Sequence, residues 1–271
     1  MTVLGNIRDE DYFARTEISN SDLSMIDLSY AHYLEKERKH VTEAMTFGKA
    51  FDQYLLRPSE FHLNFVIAPE DMDRRTAAGK QTYRDLINSG RTVLTVKDWT
   101  NLNIMKDNVN SHPIASNIIK NSENEGSFTG IIEGVEVRCK VDLINQNYLF
   151  DVKTCQSARA SEFKKDVANR NYHRQMAFYL EILRQNMEGI KGAGLIPVEK
   201  PSDSNFIPKN CGVNVFWVTQ DDLDQGKFEF LKLVDKYKTY RDNPNKYPGY
   251  SDEIEPLSLP LWRKQGDFNY V

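Results

Sequence analysis

Two neighbouring stretches decide the fold of this chain: V-E-V-R-C-K-V-D-L-I at 135–144 and Y-L-F-D-V-K-T at 148–154. Both read as short β-strands, separated by a polar break. Side chains alternate between the two faces of a strand, so Asp151 and Lys153 share a face. If the two strands pair, Asp142 is brought beside Asp151. Two carboxylates and one ammonium would then surround a single point, an arrangement that a divalent cation and a phosphate can satisfy.

The composition is that of an ordinary globular protein. The chain has 271 residues, 27% charged and 40% hydrophobic, enough to bury a sizeable core. Its formal net charge of −4 at pH 7 excludes a generally basic nucleic-acid-binding protein. Any surface that binds nucleic acid must therefore be a local basic patch.

The three cysteines, Cys139, Cys155 and Cys211, are widely scattered. Their number excludes a structural zinc site or an iron–sulfur cluster built from four cysteines. Their spacing suits a reducing compartment. Since no run approaches 18 apolar residues and the N-terminus has no apolar signal segment, we expect a cytoplasmic protein without a membrane anchor.

The first 121 residues are predicted to be mainly helical. Residues 1–17 are polar and mixed, and we expect a flexible arm there. Apolar residues at helical spacing predict one helix over 23–34 and another over Glu43–Leu56, with Thr42 as its N-cap. We expect residues 18–271 to form a single domain, with a helical part (18–121), a sheet core (122–245) and a C-terminal tail (246–271).

Gly48 and Asp52 lie one turn apart on the second predicted helix. A glycine within a helix costs roughly 1 kcal/mol relative to alanine. It often marks a place where another group approaches the backbone closely. Tight helix packing, with Asp52 simply solvated, is an equally acceptable interpretation of the spacing.

The pattern changes from helices to strands at Glu125. We predict strands over 127–132 and 135–144 joined by a turn at Glu133-Gly134, a third strand over 148–154, helices over 158–167 and 171–187, an exposed loop over 189–210, a buried strand over 213–218 and a helix over 223–240. This order suits a central mixed sheet flanked by helices, with the N-terminal helices packed on it.

The charged group formed by Asp142, Asp151 and Lys153 has three interpretations. It can decorate the solvent face of the strands, although Asp is disfavoured in strands. It can form a structural salt-bridge cluster with Arg138 and Lys140. Alternatively, both carboxylates bind Mg²⁺ or Mn²⁺ while the lysine stabilises charge on a phosphate.

A later helix supplies polar groups that can face this point. Gln175 and Tyr179 lie one turn apart on the helix predicted over 171–187, with Tyr172 a turn earlier. A glutamine and a tyrosine facing a carboxylate–lysine centre can orient a phosphate or hold the lysine in place. An ordinary amphipathic helix whose tyrosine has an exposed tip would show the same spacing.

Taken in order, these segments resemble the PD-(D/E)XK nuclease superfamily, and within it the RecE-type exonucleases of phages and prophages. The resembling segments are the helix at 19–34, F-G-K-A-F-D-Q-Y-L-L-R-P-S-E-F at 47–61, R-R-T-A-A-G-K at 74–80, E-G-S at 125–127, V-R-C-K-V-D at 137–142, D-V-K-T at 151–154 and Y-H-R-Q-M-A-F-Y at 172–179. Each segment alone is a weak signal, whereas the ordered set is specific. It covers residues 18–185 and implies a restriction-endonuclease-like α/β fold.

The resemblance also implies roles for individual residues. It makes Asp142 and Asp151 metal ligands, with the main-chain carbonyl of Val152 as a further candidate, and Lys153 the catalytic lysine. Gln175 and Tyr179 match the helix motif beside the catalytic centre, and Glu125 matches a family glutamate of unassigned role. Candidates for gripping the DNA backbone or a terminal 5′ phosphate are Arg74, Arg75 and Lys80, which a solvated basic turn explains equally well.

One residue departs from the family pattern. The motif after the helical glycine usually ends in histidine, whereas G-K-A-F-D places Asp52 there. A carboxylate can bind Mg²⁺ directly but cannot act as a neutral imidazole ligand. The departure therefore puts the metal preference and the pH optimum in question.

By resemblance, the expected activity is Mg²⁺- or Mn²⁺-dependent 5′→3′ degradation of linear double-stranded DNA, without an iron–sulfur cluster or nucleotide cofactor. The 3′ single strands would serve recombination with a single-strand annealing partner, in a bacterial or phage-infected cell, and the same resemblance suggests a homo-oligomeric ring. The alternatives are a structure-specific or restriction-type endonuclease of the same superfamily and a non-catalytic DNA-binding relative. Dependence of cleavage on free DNA ends would separate the first two.

Overall fold

The computed structural model describes residues 3–5, 7–36, 41–202, 207–208 and 211–259, and only the backbone of Glu125. The helices are α1 (Asp9–Phe13), α2 (Asn20–Leu28), α3 (Tyr30–Leu34), α4 (Glu43–Leu56), α5 (Phe61–Asn64), α6 (Ala77–Asn88), α7 (Val96–Ser111), α8 (Pro113–Lys120), α9 (Ala160–Asn169), α10 (Tyr172–Asn186) and α11 (Gln220–Asp242). The strands are β1 (Val3–Gly5), β2 (Phe65–Ile67), β3 (Thr92–Leu94), β4 (Glu123–Ile132), β5 (Val135–Asn145), β6 (Tyr148–Cys155), β7 (Gly192–Glu199) and β8 (Phe216–Trp217). None of the described helices combines the length and apolarity needed to cross a membrane.

The central sheet has six strands in the order β1-β4-β5-β6-β7-β8. All neighbours are antiparallel except β6 and β7, which run parallel. The β4–β5 turn is the predicted Glu133-Gly134 pair, with φ of 49° and 76°, the left-handed conformation that a tight hairpin requires. The predicted mixed sheet flanked by helices is therefore confirmed.

Helices cover the sheet on both sides. One apolar cluster joins the sheet to α2, α10 and α11, and a second joins it to α4, α7 and α8. On β6, Leu149 belongs to the first cluster, whereas Phe150 and Val152 belong to the second. This alternation is typical of a strand that is buried on both faces.

Strands β5 and β6 separate where the charged residues lie. Their ladder covers only three residue pairs, from Asn145↔Tyr148 to Leu143↔Phe150. The first half of β5 instead bonds to Ile18, whose N–H donates to the Glu136 carbonyl at 3.0 Å. The divergence leaves a gap in the sheet that begins at Asp142.

The prediction of an exposed loop over 189–210 is wrong, because residues 192–199 form the buried strand β7. The glycines of this segment and Pro197 are residues typical of loops, so the short apolar strand was predicted as a loop. The carbonyl of Pro197 accepts the N–H of Asn214, so the missing N–H of the proline faces the same edge of β7, beyond the two residue pairs of the β7–β8 ladder. A proline is tolerated in a strand where no ladder needs its N–H.

Two further predictions need correction. The buried strand expected over 213–218 is the short edge strand β8, and Trp217 is 58% exposed. The helix expected over 23–34 is divided at Ser29, whose hydroxyl accepts the N–H of His32 and caps α3. A serine that competes for backbone N–H groups favours such a break.

The segment 1–17, expected to be a flexible arm, contains regular structure in its described residues. β1 pairs with β4 at the edge of the sheet. Tyr12 of α1 is only 6% exposed and lies beside the guanidinium of Arg138, 5.0 Å from its ring centre. The nearby Nη1 of Arg138 donates to the carbonyl oxygen of Arg15 at 2.8 Å. These contacts hold α1 against β5.

Gly226 allows α10 and α11 to approach closely. A Cβ at this position would lie 2.7 Å from the carbonyl oxygen of His173 and 2.9 Å from the Cα of Arg174. We expect Gly226→Ala to lower the free energy of unfolding by about 1–3 kcal/mol, because these backbone atoms cannot move aside. Denaturant unfolding would measure the loss. Gly192→Ala, whose Cβ would come no closer than 3.7 Å to Tyr148, is the control, and equal stability of the two variants would contradict the argument.

Candidate active site

Asp142 and Asp151 meet where β5 and β6 separate. The Oδ2 of Asp142 accepts the Val152 N–H at 2.9 Å and so replaces the next bond of the ladder. Asp151 is 2% exposed. Because the N–H and C=O of a strand residue point to the same edge, the Val152 carbonyl also faces the gap. Three oxygen-bearing groups therefore converge at this edge of β6.

Lys153 adds an ammonium group beside the two carboxylates. Its Nζ lies 2.6 Å from Asp151 Oδ2, a close ion pair, and 4.7 Å from the ring centre of Tyr172. Burial lowers the pKa of Lys153, but attraction by Asp151 and Asp142 outweighs it and raises that pKa above its usual value. The lysine is therefore held as a cation at neutral pH.

Helix α10 brings the predicted glutamine and tyrosine to the same place. The Nε2 of Gln175 donates to Asp151 Oδ1 at 3.3 Å and to the Tyr179 hydroxyl oxygen at 3.1 Å. Burial raises the pKa of Tyr179 well above its ordinary value. Tyr179 therefore remains a neutral hydroxyl that holds Gln175, and Gln175 in turn orients Asp151.

Helix α4 forms the opposite wall of the cleft with Gly48 and Asp52. A Cβ on Gly48 would lie 3.4 Å from the Thr154 hydroxyl, so the helix passes close to β6 here. The cleft holds about 660 Å³, and its lining includes Asp52, Asp142, Asp151 and Lys153. The structure thus brings together on one cleft the catalytic and metal-ligand candidates of the sequence.

The three carboxylates repel one another. Burial raises the pKa of Asp142 well above its ordinary value, and the charges of Asp151 and Asp52 raise it further. A buried group of like charges is costly unless a cation or a proton neutralises it. The repulsion among these three carboxylates therefore favours a cation bound between them.

The chemistry of the donors fits a hard divalent cation. Carboxylate and carbonyl oxygens are the ligands of Mg²⁺ and Mn²⁺. Among the described residues, no group of three or more His, Cys, Asp or Glu side chains is placed to hold a metal ion by itself. Mg²⁺ is commonly held by one or two carboxylates together with substrate phosphates and water, so an open site of this kind remains suitable.

The basic residues proposed for DNA contact lie elsewhere. Arg74, Arg75 and Lys80 are exposed and do not line this cleft. Arg75 Nη2 pairs with Asp73 at 3.0 Å, and the Arg74 guanidinium stacks 3.9 Å over the ring centre of Tyr83. Glu125 belongs to β4, but its side chain lies outside the described residues.

Two lysines that line the cleft were not among the site residues predicted from the sequence. Lys49 follows Gly48 on α4, and Lys140 precedes Asp142 on β5. Lys140 entered only as a member of a possible structural salt-bridge cluster. Lys49 lies three residues before Asp52 on a helix, and Lys140 lies two residues before Asp142 on a strand. Each lysine therefore shares a face with a carboxylate candidate, and this spacing could have identified both.

Comparison with known proteins agrees with the arrangement. The family model described as a PDDEXK-like domain of unknown function (DUF3799) matches residues 19–259. A sequence comparison with curated proteins gave no match.

Three solved structures are similar. A protein from Eubacterium rectale that carries the provisional name of an exonuclease is 14% identical, with 94% of this chain and 96% of that chain covered and a TM-score of 0.63. A phage-related exonuclease from Haemophilus somnus 129PT is 12% identical over 65% of this chain and 91% of that chain, with a TM-score of 0.35. An alkaline exonuclease from Laribacter hongkongensis is 13% identical over 72% and 94%, with a TM-score of 0.30.

Only the first of these similarities is close enough to show a shared fold. The family match carries the assignment, because it spans most of the chain and includes every element that contributes to the cleft except α1. The chain belongs to the family of PDDEXK-like domains.

Proposed function

We propose that the protein is a metal-dependent exodeoxyribonuclease that hydrolyses linear double-stranded DNA. The observation that supports this proposal best is the convergence of Asp142, Asp151 and Lys153 on one cleft, with Gln175 bonded to Asp151. Two carboxylates beside a protonated lysine suit the hydrolysis of a phosphodiester. The name of the similar Eubacterium rectale structure favours an exonuclease over other nucleases.

In the proposed mechanism, Asp142, Asp151 and the Val152 carbonyl would hold Mg²⁺ or Mn²⁺, with Asp52 as a further candidate ligand. When bound, the cation supplies polarisation of the scissile phosphate and lowers the pKa of an attacking water. Lys153 stabilises the negative charge that develops on the phosphate. Its raised pKa favours this role over that of a general base, which would need to lose its proton near neutral pH.

The family resemblance extends the proposal to polarity and partners. Degradation would run 5′→3′ from a duplex end and leave a 3′ single strand for a single-strand annealing recombinase. A homo-oligomeric ring would enclose the DNA, in the cytoplasm of a bacterium or of a phage-infected cell.

A cleavage assay on matched DNA substrates tests the proposal. Linear duplex labelled at the 5′ or the 3′ end, and the same sequence as a closed circle, would be incubated with Mg²⁺ or with EDTA. We expect loss of linear duplex only with Mg²⁺, early release of the 5′ label and an intact circle. Cuts in the circle would establish an endonuclease. Untouched DNA in every reaction would contradict enzymatic activity.

Replacement of Asp52 tests its proposed contact with the metal. Imidazole is a softer ligand than carboxylate, so Asp52→His should reduce Mg²⁺-supported cleavage more than Mn²⁺-supported cleavage. We expect the ratio of the two rates to fall by about tenfold. Initial rates across titrations of both metals would measure it, with Asp52→Asn, which retains an oxygen donor, as the comparison. An unchanged ratio in Asp52→His together with full activity of Asp52→Asn would remove Asp52 from the metal site.

A further inference from the structure

Each of two carboxylate-bearing elements also presents a lysine to the cleft. On α4, Lys49 precedes Asp52 by three residues, and residues at this spacing share a helix face. On β5, Lys140 precedes Asp142 by two residues, so both point to the same face of the strand. All four side chains line the same cleft. Two ammonium groups therefore line the same cleft as the proposed metal ligands.

One carboxylate bridges these two lysines. Asp9, the first residue of α1, places Oδ2 at 2.8 Å from Lys49 Nζ and Oδ1 at 2.6 Å from Lys140 Nζ. Burial opposes ionisation of Asp9, but hydrogen bonds from Lys140 and Lys49 lower its pKa to about 2. The aspartate is therefore a stable anion that uses one oxygen for each cation.

The bridge is fixed by the position of its helix. α1 is held on β5 by the burial of Tyr12 and by the contacts of Arg138 with Tyr12 and Arg15. The carboxylate consequently reaches the lysines from an anchored backbone. Yet Lys49 is 55% exposed and Asp9 29% exposed, so solvent and ligands have access to the bridge.

We infer that Lys49 and Lys140 form a seat for a backbone phosphate of the DNA substrate, and that Asp9 occupies this seat in the free protein. The inference rests on the proposed function and extends it to substrate binding. A phosphodiester carries one negative charge and two non-bridging oxygens, which match the two contacts of the Asp9 carboxylate. DNA and Asp9 then compete for the same two cations.

This competition predicts opposite effects for the two sides of the bridge. Removing the charge of Asp9 removes its ion pairs with both lysines and strengthens DNA binding. Removing the lysines weakens binding and lowers its salt dependence, since each phosphate contact contributes a slope of about one in a plot of log affinity against log salt. Without the lysines, the charge of Asp9 should no longer matter.

Equilibrium binding measures these effects without cleavage. Fluorescence anisotropy of a labelled linear duplex would be followed in EDTA at several NaCl concentrations, for wild type, Asp9→Asn, Lys49→Ala/Lys140→Ala and the triple variant. We expect Asp9→Asn to bind about threefold to tenfold more tightly and the double variant at least about tenfold more weakly, with a salt slope reduced by about one. The triple variant should equal the double variant within about twofold.

Asp11→Asn is the matched control for net charge. Asp11 lies on the same helix, but it is 54% exposed, pairs with Arg8 and does not line the cleft. The Asp11→Asn variant should therefore bind DNA with the affinity of wild type. Lys49→Ala alone provides a second test if the double variant unfolds, because Lys49 is largely exposed. This variant should weaken binding and lower the salt slope by no more than about one.

The results separate this inference from the proposed function. The phosphate seat is wrong if wild type cleaves DNA but Asp9→Asn binds it no more tightly, or if the effect of Asp9→Asn persists without the two lysines. The ion pairs of Asp9 with Lys49 and Lys140 would then serve only to anchor α1. If wild type neither binds nor cleaves DNA, the proposed nuclease activity fails and the seat fails with it.

Discussion

Replacement of Lys153 by alanine is expected to reduce DNA cleavage by about 10²–10³-fold, the effect of removing one preorganised charge from a transition state. The ammonium lies 2.6 Å from Asp151 and is held protonated between two carboxylates. Its loss removes the positive charge that would face the developing charge on the phosphate. Single-turnover cleavage of end-labelled duplex would measure the change in the chemical step.

Two controls separate this effect from loss of folding or of general charge. Thermal unfolding of Lys153→Ala would show whether the lost ion pair with Asp151 destabilises the protein. Lys232→Ala removes an equal charge from the exposed face of α11, where Lys232 contacts Phe228, and should cleave like wild type. Equal rates for Lys153→Ala and wild type would show that the chemistry occurs elsewhere.

Asp142→Asn is expected to have opposite effects on activity and on the stability of the metal-free protein. Asparagine retains an oxygen for the Val152 N–H but removes one of three mutually repelling charges. Cleavage should fall by at least about 10²-fold, since a bound cation contributes several kcal/mol to the transition state. In EDTA above neutral pH, the variant should melt at a higher temperature, by about 2–4 °C for each kcal/mol of repulsion removed.

The pH dependence follows from the raised pKa of Asp142. Between the ordinary carboxyl pKa and this raised value, the folded protein binds a proton that the unfolded chain does not, so the stability of wild type falls as pH rises through that range. The asparagine side chain of the variant does not titrate, and the variant lacks this decline. The difference in melting temperature should therefore widen from acidic to alkaline pH.

Addition of Mg²⁺ should reverse the order of stability. A cation that binds only the folded state raises the melting temperature of wild type, whereas the variant has lost a ligand. Scanning calorimetry in EDTA and in Mg²⁺ would record both states. A variant that melts below wild type in EDTA at every pH would show that the Asp142 charge stabilises the metal-free fold, contrary to the geometry.

Local sequence pattern predicted most helices and the strands β4–β6, because strong periodicity and a favoured turn mark them. It also singled out Asp52, Asp142, Asp151, Lys153, Gln175 and Tyr179, which the structure brings to one cleft. Strand β7 was missed, since glycine and proline weaken the signal of a strand that neighbouring strands stabilise. The DNA contacts proposed for Arg74, Arg75 and Lys80 came from the resembling basic segment R-R-T-A-A-G-K, and a local segment of this kind does not show where it lies relative to the cleft.

The sequence by itself determined which side chains could form the cleft. Metal binding and phosphate hydrolysis need carboxylates and a cation, and the spacing of these residues on a strand or helix places them on a shared face. The tertiary structure alone decided how these faces meet. The separation of β5 from β6 gives Asp142 the Val152 N–H, and the docking of α1 on β5 carries Asp9 to Lys49 and Lys140. Both depend on contacts between residues far apart in the chain, which no local periodicity encodes.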